Sequence, residues 1–336
     1  MIYAMCIPYS KTGGTELMHQ FVAKLRANGK TAYIVYPKAK DGKYLNEAFR
    51  EYVDDYLLVD DIEDKKENIV VIPETLVNYS RHFKNATVHI WWLSVDNYFI
   101  SQLHYPTMKK YFGTWIALRD VALKAFNALF LGEKYTSMKE LKHIPMHLVQ
   151  SEYAADFLKS YGISRVRYLT DYINKEFITR SSEVDFSKKE DIVLYNPKKG
   201  YVFTQKIIIA NPNYKFVPLV NLTTAQVADL LMRAKLYIDF GHHPGKDRFP
   251  REAATMGCCL ITGLNGAAAF NDIDIPTKFK IAAEDKNIPL ISEQIAYCFN
   301  HYEEVWKQLE AYRKKIREEE AVFEQEVKNI YGVEYK

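Results

Sequence analysis

One stretch, residues 236–263 (LYIDFGHHPGKDRFPREAATMGCCLITG), restricts the fold more than any other. Leu236–Phe240 is apolar and too short for a helix, and it is expected to be a buried parallel strand. Gly241–Phe249 is a loop with two glycines, two histidines, Lys246, Asp247 and Arg248. Pro250 suits a first helical turn, where its missing N–H costs nothing, and Glu252 is expected in the same turn. Gly257 closes that helix and Cys258–Thr262 forms the next strand. In open parallel sheets, ligands sit beyond the carboxyl ends of the strands. A cationic loop that feeds a helix N-terminus there can hold a phosphate with backbone N–H groups and side-chain charge together. An ordinary polar surface loop is the alternative. Nine residues, however, exceeds the ~2–6 of a usual connection.

The rest of the chain repeats the same alternation. Ile2–Ile7 is an opening strand, and Gly13-Gly14 lies in the turn after it. Thr15 is expected to cap a helix whose apolar face is Leu17, Met18, Phe21, Val22 and Leu25. Gly29 ends that helix before the strand Thr31–Tyr36. Further strands are expected at Tyr56–Val59, Ile69–Ile72, Val88–Trp92, His147–Gln150 and Val166–Leu169, with a helix from Ser151 to about Ser160. Residues 173–191 turn polar and read as a linker. A fresh unit begins at Ile192–Tyr195 and continues through Lys215–Leu219, a helix capped by Thr223 or Thr224, and the 236–263 unit. A helical tail carries the apolar stripe Ile295, Phe299, Tyr302, Trp306, Leu309 and Ile316. At 336 residues the chain exceeds what one core usually serves. The expected architecture is therefore α/β, with two Rossmann-like parallel-sheet domains facing a cleft. The expected boundaries are 1–172, linker 173–191, second domain 192–300 and tail 301–336.

Composition removes several classes. The net charge is +3 and the basic residues are scattered, so nucleic acid is not an expected partner. The cysteines Cys6, Cys258, Cys259 and Cys298 have no metal spacing and read as small buried residues of a reducing compartment. No basic leader precedes the apolar Met1–Pro8, and no apolar run reaches the ~18 residues that span a bilayer. A cytoplasmic protein is expected, with peripheral contact on the inner face of a membrane left open by 25 tyrosines.

The candidate polar groups all fall in strand-end loops. In the first half they are Gly13, Gly14, Thr15 and Glu16, then Ser94, Asp96 and Asn97 after Trp91-Trp92. In the second half they are Asn196, Lys198 and Lys199, then His242, His243, Gly245, Lys246, Asp247, Arg248, Arg251 and Glu252. Lys198, Lys199, Lys246, Arg248 and Arg251 form a cationic set suited to a diphosphate. A carboxylate beside them, Glu252, suits a ribose diol. Together they describe a nucleotide. Gly13-Gly14 lacks the GxGxxG pattern, which argues against a nicotinamide cofactor there.

These segments resemble the GT-B glycosyltransferases, close to glycosyltransferase family 4. FVPLVNLTTAQVADLLMRAKLYIDFG followed by PREAATMGCCLITG is similar to the donor-site segment of that family. GGTE and LVQSEYAADFL resemble its acceptor-domain landmarks, and YLTDYINKEF resembles the crossing between domains. The resemblance runs from about Tyr3 to Asn300 and implies retaining transfer of a sugar from a nucleotide-sugar donor to an acceptor hydroxyl. The acceptor would be a saccharide or lipid-linked saccharide of capsule or lipopolysaccharide synthesis. No metal or other cofactor is expected. Of the family's two glutamates eight apart, the second falls on Glu252 and the first on Pro244, so the donor-sugar contact is vacant. Gly245 matches the glycine after that first glutamate, and Lys198 and Lys199 correspond loosely to the family's phosphate-binding pair. His242, His243 or Asp247 would take over sugar contacts. Lys246, Asp247 and Arg248 replace the family's usual apolar and glycine residues. The expected catalytic set is Asp96 and Glu252, carried over by position, with Arg248, whose charge would stabilise the leaving phosphate, and with Asn97 beside Asp96 on the acceptor side. A transferase of another phosphate-linked group and a catalytically silent paralogue that binds nucleotide sugars are the alternatives.

Overall fold

The computed structural model describes residues 1–130 and 132–332. The chain forms two compact units, Met1–Thr170 with the chain from Phe323 on, and Asp171–Val322.

In the first unit the elements run β1 (Ile2–Met5), α1 (Gly13–Ala27), β2 (Ala32–Tyr36), β3 (Leu57–Leu58), β4 (Ile69–Pro73) and β5 (Thr87–Trp92). They continue through α2 (Val95–Ser101), α3 (Tyr105–Phe112), α4 (Thr114–Phe130), α5 (Met138–Leu141), β6 (Met146–Val149), α6 (Glu152–Ser160) and β7 (Val166–Tyr168). The strands form one parallel sheet in the order β3-β2-β1-β4-β5-β6-β7. The order reverses between β1 and β4, which opens a crevice beyond their carboxyl ends. Both faces of the sheet are covered, so β5 is buried along almost its whole length. Trp91 and Trp92 are both fully buried. Their indole N–H groups donate to Leu169 O and His147 Nδ1, each at 3.0 Å.

The cap of α1 differs from expectation. Thr12, not Thr15, is the N-cap: its hydroxyl accepts from the Thr15 N–H at 3.2 Å, while Thr15 Oγ1 accepts from the Thr12 N–H at 2.9 Å. Gly13 and Gly14 therefore lie inside the first turn. Thr15 is spent on this reciprocal box and on donating to Ser10 O at 2.8 Å.

The second unit contains α7 (Lys175–Arg180), β8 (Glu190–Tyr195), α8 (Tyr201–Ala210), β9 (Lys215–Pro218), α9 (Thr224–Arg233) and β10 (Ala234–Asp239). After them come α10 (Arg248–Thr255), β11 (Cys259–Thr262), α11 (Ile288–Asn300), α12 (Tyr302–Gln308) and α13 (Glu310–Tyr331), whose last turns, from Phe323, belong to the first unit. The sheet is parallel with order β11-β10-β8-β9, so its reversal falls between β8 and β10. Residues 173–191 carry α7 and single 3-10 turns and are packed against this unit. Buried Lys189 donates from Nζ to Leu231 O at 2.8 Å, Ala234 O at 3.0 Å and Met256 O at 2.7 Å, the carbonyls that α9 and α10 leave open at their ends. The apolar stripe of the tail packs inward, with Leu309, Tyr312 and Ile316 joining the core of this unit. Residues 333–336 of the expected tail lie outside the described residues. All four cysteines are free and buried. Among the described residues, no helix is long and apolar enough to cross a membrane.

Candidate functional site

The reversal point of the second sheet is built from three loops that touch through backbone. Gly200, at φ +60°, ends the loop after β8, and a β-carbon there would lie 2.7 Å from the Phe240 carbonyl and the Gly241 nitrogen. Gly241 leaves no room for one either, because Lys199 Cβ occupies that space. The loop after β11 joins from the other side. His243 N–H donates to Asn265 O at 3.1 Å, Ala267 N–H donates to His243 O at 2.8 Å, and Gly266 lies against the His243 carbonyl. Only residues without a side chain permit this approach. With glycine as its N-cap, α8 begins without a side-chain cap, so its first-turn N–H groups lack that partner. Asn196 shapes the preceding turn by accepting from the Lys198 N–H at 3.0 Å. Lys198 is exposed, and Lys199, Arg248 and His242 are half-buried around the same edge.

The five expected cations do not act as one set. Arg251 is fully buried and donates to Asp171 Oδ2 at 2.6 Å, Glu319 Oε2 at 2.7 Å and the carbonyl of Lys246 at 3.0 Å. Lys246 Nζ lies 2.8 Å from Glu319 and 3.9 Å from Asp171. Two cations and two carboxylates thus neutralise one another inside the unit, and Lys246 and Arg251 are committed there rather than to a ligand. Burial would raise the Asp171 pKa, but Arg251 and Lys246 outweigh it and hold the carboxyl below its usual range.

A second network fixes the loop after β10. Asp239 accepts from Tyr237 Oη and from the Gly241 N–H, each at 2.9 Å. His243, fully buried, has Nδ1 2.7 Å from Asp247 Oδ2 and Nε2 3.7 Å from Asp239 Oδ1. Burial would lower its pKa, and these two carboxylates more than reverse that, so the imidazole is held above its ordinary value. Lys199 Nζ reaches Asp247 at 2.5 Å. Asp247, burial notwithstanding, is held down to about 2 by His243 and Lys199. His243 and Asp247 therefore organise the loop, and Lys199 is positioned by it. Glu252 is 6% exposed and sits in the second turn of α10, not the first, because the helix begins at Arg248 and takes Pro250 as its third residue.

At the reversal point of the first sheet, Gly13 is exposed and Gly14 packs against Leu93. Glu16 accepts from Tyr52 Oη at 3.0 Å. Asn97 is exposed. Asp96, 7% exposed, accepts from Tyr111 Oη at 2.5 Å and has Lys110 Nζ at 3.3 Å, so its carboxylate is turned to α3. Glu74 is not among the residues expected from the sequence: it follows β4 directly, at 1% exposure, and accepts from the Leu93 N–H at 2.9 Å. A charged residue straight after a run as apolar as IVVIP was the available signal.

Burial pushes the Glu74 carboxyl up to about 7, although backbone N–H groups and the Asn97 side chain hydrogen-bond to it. A carboxyl raised in the folded state destabilises the fold once ionised. The penalty is absent below the ordinary value of 4.5, grows as pH rises towards 7 and is complete above it. Glu74→Gln keeps an acceptor and removes the charge. The variant is expected to gain about 3 kcal/mol over the parent at about pH 8 and nothing at about pH 4, read by denaturant unfolding at both values.

No protein-family model matches the chain, and no curated protein does either. Solved structures do. Sucrose-phosphate synthase from Thermosynechococcus elongatus superposes with a TM-score of 0.55 at 12% identity, over 98% of this chain and 94% of that one. HepE from Anabaena in complex with UDP gives 0.55 at 11%, over 98% and 99%. The catalytic domain of starch synthase IV from Arabidopsis thaliana bound to ADP and acarbose gives 0.54 at 12%, over 97% and 99%. The chain has the GT-B fold. The seven-stranded sheet is the N-terminal sheet of this GT-B chain and the four-stranded sheet its C-terminal one. Among the described residues, no group of three or more His, Cys, Asp or Glu side chains could hold a metal ion.

Proposed function

We propose that the protein is a glycosyltransferase that moves a sugar from a nucleotide-sugar donor to the hydroxyl of a saccharide or lipid-linked saccharide. Retention of configuration and a role in capsule or lipopolysaccharide synthesis are part of this reading. The observation that carries it is the β8/β10 edge, where glycines let the loops pack backbone to backbone beside the uncapped N-terminus of α8, with Lys198, Lys199 and Arg248 in those loops. Structures of the same fold support it: HepE was solved with UDP and with UDP-glucose, and starch synthase IV with ADP.

Charge development sets the roles. As the glycosidic bond breaks, negative charge grows on the leaving phosphate. The α8 amides, Lys198, Lys199 and Arg248 take it up without a metal ion, the kind of preorganised stabilisation that is usually the largest catalytic contribution. Glu252 accepts from the ribose hydroxyls. His242 and the backbone at Pro244 and Gly245 face the donor sugar. Gly13, Gly14, Glu16 and Asn97 border the acceptor, with Asp96 behind them. Chelation with EDTA leaves turnover unchanged on this reading.

The direct test is a thermal-shift screen against UDP-, GDP-, CMP- and dTDP-sugars. At a ligand concentration about a hundredfold above Kd, mass action adds ~2.7 kcal/mol and raises the melting temperature by several degrees. No shift with any nucleotide sugar, or with the free nucleotides, would sink the proposal. A second reading, a silent binding paralogue, is favoured by Pro244, where the resemblance calls for a carboxylate. Donor binding with no sugar transfer to any acceptor and no donor hydrolysis would decide for it.

A further inference from the structure

Helix α4 is inside out. Ala117, Asp120 and Lys124, spaced by three and four residues, form the face turned into the unit. Ala117 and Asp120 are buried, and half-buried Lys124 donates from Nζ to Gln102 O at 2.7 Å. The opposite stripe is Trp115, Leu118, Phe126 and Leu129, which are 86%, 49%, 52% and 76% exposed. Leu123 and Phe130 widen it, and the Phe126 and Phe130 rings lie 4.9 Å apart. A helix on a water-soluble surface does the reverse, hiding its apolar stripe and exposing its charges. Scattered exposed leucines need no explanation, but a contiguous aromatic and aliphatic stripe does.

The charge around the stripe names the occupant. Between Tyr105 and Lys142 there are seven lysines and arginines against three carboxylates, whereas the rest of the chain carries one more acid than base. Lys109 and Lys110 are exposed on the neighbouring α3 and Arg119 on α4 itself; Lys110 Nζ lies 3.3 Å from Asp96 and Arg119 2.7 Å from Asp120, and Lys109 adds its charge to theirs. Two copies of this chain meeting face to face would set these like charges against each other. An anionic lipid surface meets both halves of the pattern, taking apolar side chains below its headgroups and cations at its phosphates.

We propose that α4 is a docking surface for an anionic bilayer, lying in the interface with Trp115, Phe126 and Leu129 inserted. No residue of the nucleotide edge takes part in this surface, which is independent of the transferase assignment. The experiment is flotation of the full-length protein with vesicles of phosphatidylcholine alone and of phosphatidylcholine with phosphatidylglycerol. Binding is expected to the anionic vesicles only, and raised salt should weaken it. The double variant Trp115→Glu, Leu129→Glu is expected to cut the bound fraction at least about tenfold. Both positions are exposed, so its melting temperature should match the parent's. Lys109→Ala with Lys110→Ala should lower binding by a smaller factor. Failure of the parent to float with anionic vesicles, or equal flotation of the double variant, overturns the proposal. So does light scattering that finds a dimer split by the double variant in the absence of lipid, since the stripe would then belong to a second copy.

Discussion

Arg251→Ala is expected to lower the free energy of unfolding by ~3–5 kcal/mol, because it leaves two carboxylates buried without their cation. Arg251 is fully buried, with Asp171 at 2.6 Å and Glu319 at 2.7 Å. Lys246 alone then faces both carboxylates. A loss of this size corresponds to a fall of ~10 °C in melting temperature for a unit of this length. The double variant Arg251→Ala, Glu319→Ala should lose less than the two single losses summed, since the second change removes a charge that the first left exposed to low dielectric. The parent's network also has a pH signature. Asp171 is held below its usual carboxyl range, so its contribution is present above the ordinary carboxylate pKa and is lost as pH falls through the depressed value. Melting curves of the three variants across acid pH check both points, and a loss under about 1 kcal/mol for Arg251→Ala would show that the pairing contributes little.

Lys199→Ala and Arg248→Ala should each lower kcat by ~10²–10³-fold if a nucleotide diphosphate leaves at the β8/β10 edge. Lys199 is the better-defined case. Asp247 holds its ammonium at 2.5 Å, and His243, 2.7 Å from the same carboxylate, anchors Asp247 in turn. The charge is therefore in position before any ligand arrives, which is the condition under which a cation stabilises a developing anion most. Lys246→Ala is the contrast, because that side chain is committed to Glu319 and Asp171. It should cost stability and spare kcat. Single-turnover rates with the nucleotide sugar found by thermal shift separate the cases. Unchanged rates in both Lys199→Ala and Arg248→Ala remove the phosphate-clamp mechanism.

The parallel sheets were legible because their strands carry their own signal. The runs at residues 2–5, 69–73, 87–92, 192–195 and 236–239 are buried on both faces and read as near-continuous apolar segments. The helix starts at Ser151 and Thr223 were equally plain, since each hydroxyl caps its own third residue and needs nothing distant. Thr15 was misread because two consecutive glycines look like a turn, and nothing local says that a helix will run through them. The position of Glu252 slipped for a related reason: a proline is tolerated anywhere in the first turn, so it marks the turn and not its first residue.

By itself the sequence determined the alternation of strand and helix, and with it two parallel sheets whose loops gather at the strands' carboxyl ends. Those properties follow from periodicity and capping, which act over a few residues. Only the tertiary structure decided what each charge in those loops faces. Lys246, Arg248 and Arg251 stand within six residues of one another, yet the first and last are held by Asp171 and Glu319, far away in the chain. Glu74 and the inverted face of α4 have the same origin. Burial and pairing depend on partners brought together by folding, and no window of sequence contains them.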